Sequence, residues 1–339
     1  MKHKLTLPIT FLLCISVFGA AGAQAQALTG AGSTFVTPLM SRWAADYQRV
    51  HPGVSINYQS IGSGGGIQQV RNRTVDFGAS DAALTDAQLP QMPALVQVAE
   101  AAGPVCLIYN LSGISRPLHL TPAALAGLFM GTVTYWDDRA LTAANPGLHL
   151  PHTPVLLAHR ADGSGTTSIL TTYLAAVSPE WKQRVGSGTA VNWPVGLGGK
   201  GSEGVTELVR QSPGGLGYVE LAYALQHHLP VAWVQNSAGK FIEPSAAATA
   251  AALAASRDSL ARDVRAPIVN PPGAASYPIA GLTFLLLPKA ARDAAHQAAL
   301  RGFVHYVLTG GQSIAASLGY APLPPAIQQI GLRTLQQLP

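Results

Sequence analysis

The chain carries the run Gly30-Ala31-Gly32-Ser33-Thr34-Phe35, and two later runs repeat its mixture of glycine and hydroxyl residues. These are Ile61-Gly62-Ser63-Gly64-Gly65-Gly66 and Arg160-Ala161-Asp162-Gly163-Ser164-Gly165-Thr166-Thr167, and each precedes a stretch typical of an amphipathic helix. Glycine lets a backbone turn sharply and approach a ligand. The start of a helix offers unpaired N–H groups and the positive end of its dipole. Three such runs, with Arg160 and the nearby Asp81, predict a site for a small oxyanion.

Short β-like runs alternate with helical stretches along the chain, which predicts an α/β fold. In the helical stretch 35–50, Leu39, Trp43 and Tyr47 recur at four-residue steps and form one apolar face. A further helix is expected from Ile67 and Val70 onward. The remaining predicted elements are strands at 54–58, 75–80, 154–159, 277–279 and 282–287, and a helix at 166–176.

Residues 1–27 have the pattern of a secretory signal peptide. Lys2, His3 and Lys4 form a basic start, residues 5–18 are largely apolar, and small residues surround Ala25 and Ala27. Cleavage is therefore expected after Ala25 or Ala27. The mature chain is expected to be exported, and its length is sufficient for two domains.

The composition argues against several other classes of protein. The formal net charge is +5, charged residues make up 11% of the chain, and the basic residues are dispersed, so no nucleic-acid partner is predicted. The histidines at 149 and 152, and the adjacent pair 227–228, do not fit a zinc pattern, so neither metal nor cofactor is expected. Cys106 lies in an apolar run and is expected to be a buried, inert thiol.

Six motifs, taken in order, resemble those of the periplasmic phosphate-binding proteins that serve Pst-type ABC transporters. They are LTGAGSTF (28–35), NYQSIGS (57–63), VDFGASD (75–81), RADGSGT (160–166), WPVGLGGKG (193–201) and GYVE (217–220). The similarity extends over nearly the whole mature chain.

The resemblance implies a two-lobed α/β fold of the periplasmic binding protein type (type II-like), with a ligand cleft between lobes that are joined by hinge strands. By analogy, the first lobe holds residues 28–104 and 274–339, and the second holds 105–273. The implied function is binding of inorganic phosphate in the periplasm and its delivery to the membrane permease of an ABC transporter. A monomer without catalytic activity is expected.

The resemblance also implies individual site residues. Thr34 and Phe35 match contacts from the first run, Phe35 through its backbone N–H. The other matched contacts are Ser63, Asp81, Arg160, Ser164, Gly165 and Thr166. Asp162 matches a residue that orients the arginine. Ser33 is included among the binding residues, although its position holds either alanine or serine in the family.

Asp81 suggests how such a site would select its ligand. A carboxylate can only accept a hydrogen bond, so it favours an anion that still carries a proton. Phosphate carries one at neutral pH, whereas sulfate does not. Two alternatives remain at this point: an exported phosphohydrolase, and a carrier for another tetrahedral oxyanion. The sequence shows no Gly-x-Ser-x-Gly elbow around Ser63 or Ser164, which weakens the hydrolase hypothesis.

Overall fold

A computed structural model describes residues 26–338. The predicted signal peptide, apart from Gln26 and Ala27, lies outside the described residues. Those two residues begin the first strand. Within the described range, no helix is both long and apolar enough to cross a membrane.

Eleven strands and thirteen α-helices alternate along residues 26–338, so the predicted α/β class is confirmed. The strands are β1 (Gln26–Gly32), β2 (Val54–Ser60), β3 (Phe77–Ser80), β4 (Leu95–Asn110), β5 (His119–Leu120), β6 (Leu156–Arg160), β7 (Leu197–Gly199), β8 (Gly215–Glu220), β9 (Trp233–Gln235), β10 (Phe241–Ile242) and β11 (Ala280–Pro288). The helices are α1 (Thr37–Val50), α2 (Ser63–Arg71), α3 (Pro122–Met130), α4 (Arg139–Thr142), α5 (Gly165–Val177), α6 (Pro179–Arg184), α7 (Gly201–Gln211), α8 (Leu221–Gln226), α9 (Ala246–Ala255), α10 (Arg257–Arg262), α11 (Ala294–Leu308), α12 (Gln312–Ala315) and α13 (Pro325–Gln336).

Eight strands form one mixed sheet in the order β2-β1-β3-β11-β4-β8-β6-β7. Strands β1, β2 and β3 are parallel to one another, and β6 is parallel to β7 and β8. The antiparallel strands β4 and β11 lie between these two groups. A separate small sheet contains β10, β9 and β5.

The carboxyl ends of the two parallel groups meet near the middle of β4. Ser80, the last residue of β3, pairs with Phe284, which itself pairs with Ala99 of β4. From the other side, Glu220 at the end of β8 pairs with Val105. Ligand sites of open α/β sheets lie outside the carboxyl ends of strands. The loops that follow the strands of both parallel groups are therefore expected to lie close together, near the middle of β4.

Strand β4 also exchanges its sheet partner at this point. Residues 95–104 pair with β11, and residues 105–110 pair with β8. The exchange coincides with the boundary proposed after residue 104, whereas the assignment of residues to two lobes remains a prediction.

Each parallel group has its own aromatic packing. Phe77 of β3 and Phe303 of α11 are fully buried, and their ring centroids are 5.8 Å apart. On the other side, Phe129 of α3 packs edge-on against Trp181 of α6, with centroids 6.4 Å apart. Both pairs lie in the range of favourable aromatic contacts.

Most predicted elements are found within a few residues of their expected bounds, but two expectations were wrong. Helix α2 begins at Ser63 rather than near Ile67, so the glycines at 64–66 form its first turn. The predicted strand at 277–279 is absent, because regular pairing on β11 starts only at Ala280. Tyr277 is instead a buried residue whose hydroxyl donates to the Val105 carbonyl at 3.0 Å.

Gly66 allows α2 to lie directly on the ends of β1 and β3. A Cβ at this position would lie 2.5 Å from Gly32 Cα and 2.7 Å from the Ala31 carbonyl oxygen. These are contacts with backbone atoms, which cannot move away by a change of rotamer as a side chain can. At Gly65, the nearest atom to such a Cβ is the flexible end of Ile61, at 2.9 Å.

We therefore expect Gly66→Ala to lower the free energy of unfolding by about 1–3 kcal/mol, because overpacking outweighs the gain in helix propensity. The matched variant Gly65→Ala has the same gain without the backbone clash, and its stability should equal or exceed that of the native protein. Urea unfolding of the three proteins measures the difference. Equal midpoints for Gly66→Ala and Gly65→Ala would contradict the close packing of α2.

Candidate functional site

The three glycine-hydroxyl runs meet at the predicted place, each between a strand and a helix. They connect β1 to α1, β2 to α2 and β6 to α5. Helices α1 and α2 begin without a side-chain cap. Every predicted binding residue is buried: Ser33, Thr34, Phe35, Ser63, Asp81, Arg160, Ser164, Gly165 and Thr166.

Asp81 is the centre of a small hydrogen-bond network. The Ser33 hydroxyl donates to one of its carboxylate oxygens, and Ser63 Oγ lies 3.4 Å from the other. Ser63 Oγ also accepts from the backbone N–H groups of Asp81, at 3.2 Å, and of Gly165, at 3.1 Å. Ser63 thus connects the residue after β3 to the start of α5 through one oxygen atom.

Burial raises the pKa of Asp81 to about 6, while hydrogen bonds from Ser33 and Thr283 and the charge of Arg160 oppose the rise. The group is 5% exposed. A carboxyl group with this pKa is mainly ionised at pH 7 and becomes protonated in mild acid. At neutral pH, Asp81 is therefore a buried acceptor.

Arg160 and Asp162 form a two-pronged ion pair. Arg160 Nε lies 2.8 Å from Asp162 Oδ1, and Nη2 lies 2.5 Å from Oδ2. Burial raises the pKa of Asp162, but the hydrogen bond and charge of Arg160 outweigh it, and the pKa falls below its ordinary value. The guanidinium has five N–H donors, so this pair leaves three for a further acceptor. Gly62, at φ +85°, lies against the pair, where a Cβ would overlap the Asp162 carboxylate.

The start of α5 supplies further donors. Ser164 caps the helix, since its Oγ accepts from Thr167 N at 3.1 Å, and its own hydroxyl proton remains available to donate. Thr166 Oγ1 is buried and has no hydrogen-bond partner among the described residues. A buried hydroxyl without a partner is costly, which is consistent with a ligand-binding role for Thr166.

Several contacts at this site are not apparent from the sequence. Thr34 Oγ1 lies 2.8 Å from Ser202 Oγ and accepts from Ser202 N at 3.2 Å. Tyr223 donates to the Thr34 carbonyl at 2.6 Å, and Tyr320 donates to the Phe35 carbonyl at 2.6 Å. The glycines before Ser202 at the start of α7 repeat the pattern of the other runs and could have indicated this residue. The two tyrosines carry no comparable signal.

Two buried carboxyl groups lie behind the site and were also missed. Glu100 and Glu220 are both fully buried. Burial raises the pKa of Glu100 to about 8, and burial raises the pKa of Glu220 well above its ordinary value. Glu220 Oε2 accepts from Ala222 N at 2.8 Å and lies 2.8 Å from the Tyr320 hydroxyl oxygen.

Together, these residues bring hydroxyl and N–H donors, one guanidinium and one carboxylate acceptor into a buried space. Such a set can hold a small oxyanion that retains a proton. Among residues 26–338, no group of three or more histidine, cysteine, aspartate or glutamate side chains is arranged to hold a metal ion.

Comparison with known proteins gives closely related sequences. A family model described as a PBP superfamily domain matches residues 19–310. The phosphate-binding protein PstS of Xylella fastidiosa (strain Temecula1) is 47% identical over 299 residues, covering 88% of this chain and 82% of that protein. The phosphate-binding protein PstS of Pasteurella multocida is 40% identical over 334 residues, covering 97% and 94%, respectively.

A solved structure has the same fold. It is a high-affinity periplasmic phosphate-binding protein bound with phosphate, and it matches with a TM-score of 0.71 and 22% identity. The match covers 90% of this chain and 92% of that chain. The predicted two-lobed periplasmic binding protein fold is thereby confirmed.

The buried carboxyl groups predict how stability depends on pH. The pKa of Glu100 is higher in the folded chain than in the unfolded one, so its contribution to stability is complete below about pH 4.5 and is lost as pH rises toward 8. Glu100→Gln removes this titration. We expect the variant to gain unfolding free energy relative to the native protein as pH rises from 5 to 8.5.

Denaturant unfolding at pH 5, 7 and 8.5 measures this trend. The matched control is Glu243→Gln, because Glu243 is exposed. The control should follow the native protein at each pH. A constant difference between Glu100→Gln and native protein would show that Glu100 has no raised pKa.

Proposed function

Because the chain belongs to the PstS family of phosphate-binding proteins, we propose that it binds inorganic phosphate in the periplasm and delivers it to the membrane permease of a phosphate ABC transporter. The family relationship supports binding and transport. The basic start and apolar stretch of residues 1–18 support export.

The observation that carries the choice of phosphate is the buried, mainly ionised Asp81 among hydroxyl and N–H donors. An anion beside this carboxylate must contribute a proton to be tolerated. Sulfate has none at neutral pH, and two charges 4 Å apart repel by roughly 4 kcal/mol at an effective dielectric of 20. That energy corresponds to about a thousandfold in affinity. Phosphate avoids this repulsion by donating a hydrogen bond to the Asp81 carboxylate.

We assign the donors as follows. Thr34, Ser63, Ser164 and Thr166 donate through hydroxyls, Phe35 and Gly165 through backbone N–H groups, and Arg160 through its guanidinium. The anion replaces Ser63 Oγ as the acceptor of the Gly165 N–H. Asp162 orients Arg160, as the two contacts at 2.5 and 2.8 Å support. Ser33 acts by donating to Asp81 and holding its carboxylate.

The proposed carrier causes no chemical change in phosphate. The alternative of an exported phosphohydrolase would require an activated nucleophile or a metal ion. Incubation of the purified protein with a chromogenic phosphate ester distinguishes the two functions. Release of the chromophore at a rate that follows protein concentration through purification would refute the carrier.

The proposed lobes close around the anion. Among the contacts that join segments assigned to different lobes, Gly64 N donates to the Gly163 carbonyl at 2.9 Å, and Thr34 Oγ1 lies 2.8 Å from Ser202 Oγ. Because the proposed ligands come from both segments, phosphate favours the arrangement in which they meet.

Arg160→Ala should weaken phosphate binding by about ten- to a hundredfold, because a hydrogen bond to a charged group contributes roughly 1.5–3 kcal/mol. Arg160→Lys should recover part of the loss, since an ammonium lacks the planar fork. Isothermal titration of phosphate-stripped protein measures both. Arg257→Ala is a control with the same charge change, because Arg257 is 82% exposed. Native-like curves for both Arg160 variants would exclude the arginine from the site.

Asp81→Asn should relax discrimination against sulfate, because an amide donates as well as accepts. In the native protein, sulfate should compete with phosphate only as pH falls through about 6, where Asp81 gains a proton. In the variant, competition should not depend on that titration. Titrations of both proteins with phosphate and sulfate at pH 7.5 and 5 provide the test, with Asp258→Asn as an exposed control. Equal sulfate exclusion by native protein and variant would remove Asp81 as the selecting group.

A further inference from the structure

The antiparallel pair of β4 and β11 contains a bulge beside the site, and Glu100 is its unpaired residue. Thr283 pairs with Ala101 and the next residue, Phe284, pairs with Ala99, so Glu100 has no counterpart on β11. Bulges redirect a side chain and are frequent next to functional sites. Here, the redirected residue is an acid with no exposed surface.

Thr283 lies between Glu100 and Asp81. Its Oγ1 is 3.0 Å from Glu100 Oε1. On its other side, the pairing of Ser80 with Phe284 places Asp81 across from Thr283 in the register, and Thr283 opposes the rise in the pKa of Asp81 that burial causes. A threonine hydroxyl has one proton to donate. Two ionised carboxylates would compete for that proton.

The surroundings of Glu100 favour a protonated carboxyl group. Burial raises its pKa to about 8 although the hydrogen bond with Thr283 opposes the rise, and the charge of Asp81 adds to it. Burial, with a smaller effect of Glu100, raises the pKa of Tyr58 on β2 well above its ordinary value, so this tyrosine stays neutral. From α12, Gln312 Nε2 donates to the Glu100 backbone carbonyl at 2.8 Å.

Charged groups farther from Glu100 act on Asp81. The positive charge of Arg160 acts to lower the pKa of Asp81. The negative charge of Asp81 contributes to the raised pKa of Glu220. Within residues 26–338, no cation is among the groups that shift the pKa of Glu100. Glu100 Oε2 also has no hydrogen-bond partner among the described residues, and an ionised oxygen would need one.

We propose that Glu100 is a positioning residue of the oxyanion site: in its protonated form it donates to Thr283, and Thr283 donates to Asp81. Ionised Glu100 instead takes the Thr283 proton for itself and places a second negative charge behind Asp81. Protonation of Glu100 and binding of the anion therefore favour each other. This inference rests on the proposed function, since the anion is taken to be phosphate.

The test follows phosphate affinity from pH 7 to 9.5 by isothermal titration. Bound anion raises the pKa of Glu100 further, and a rise of about one pH unit means that native affinity falls about tenfold above pH 8. Glu100→Gln has no proton to lose, and its amide still donates to Thr283, so its affinity should fall less than about threefold. Glu243→Gln is the exposed control and should follow the native curve.

Proton uptake provides a second readout that a merely structural role would not change. Titrations at pH 8 in two buffers of different ionisation enthalpy give the protons taken up with phosphate. Native protein should take up as much as about half a proton more than Glu100→Gln. Phosphate's own titration contributes equally to both proteins and cancels in the difference.

Thr283 variants test the other half of the relay. Thr283→Val should bind phosphate about three- to tenfold more weakly at pH 7, because one hydrogen bond to Asp81 is lost, whereas Thr283→Ser should restore native affinity. If Glu100→Gln fails to fold, the comparison of Thr283→Val with Thr283→Ser still tests the inference. Identical pH profiles and proton uptake for native protein and Glu100→Gln, or native-like binding by Thr283→Val, would overturn the inference. Absence of phosphate binding by the native protein would instead refute the proposed function.

Discussion

The site depends on keeping one carboxylate, Asp81, ionised where water is largely excluded. Removing a charge from water is costly unless polar partners replace the solvent. Here, the partners are the hydroxyls of Ser33, which directly follows β1, and of Ser63, the first residue of α2, while Thr283 of β11 opposes the rise in the pKa of Asp81. The side chains of these three residues must therefore be oriented toward Asp81. For Thr283, this orientation depends on the position of β11 between β3 and β4.

The charge at the site is not simply positive. Arg160 is neutralised by Asp162, and Asp81 adds a further negative charge. Attraction for an anion must therefore come from oriented N–H and hydroxyl groups, together with the starts of α1, α2 and α5. Such groups act at short range and with defined directions. They distinguish ligands by where protons lie, which net charge alone could not do.

The sequence predicted the three runs and most of the proposed ligands, because the relevant signals are local. Glycine, hydroxyl residues and the start of a helix occur within six to eight residues of one another in each run. Ser202, Tyr223 and Tyr320 were missed because their contacts span 168 to 285 residues of chain. Glu100 was missed for another reason: it lies in a strand, and only the register with β11 shows that it is bulged.

The tyrosines connect the packing of the molecule to the geometry of the site. Tyr223 and Tyr320 hold the carbonyls of Thr34 and Phe35, so they fix the backbone that presents the proposed donors without contacting the anion themselves. The Tyr320 hydroxyl oxygen also lies 2.8 Å from Glu220 Oε2 at the end of β8, where the second parallel group meets β4. The first loop is therefore positioned in part by Tyr223 of α8, which follows β8 in the second parallel group. Because a hydrogen bond weakens steeply when its donor is poorly aligned, the precision of the oxyanion site depends on these buried contacts as much as on the loops themselves.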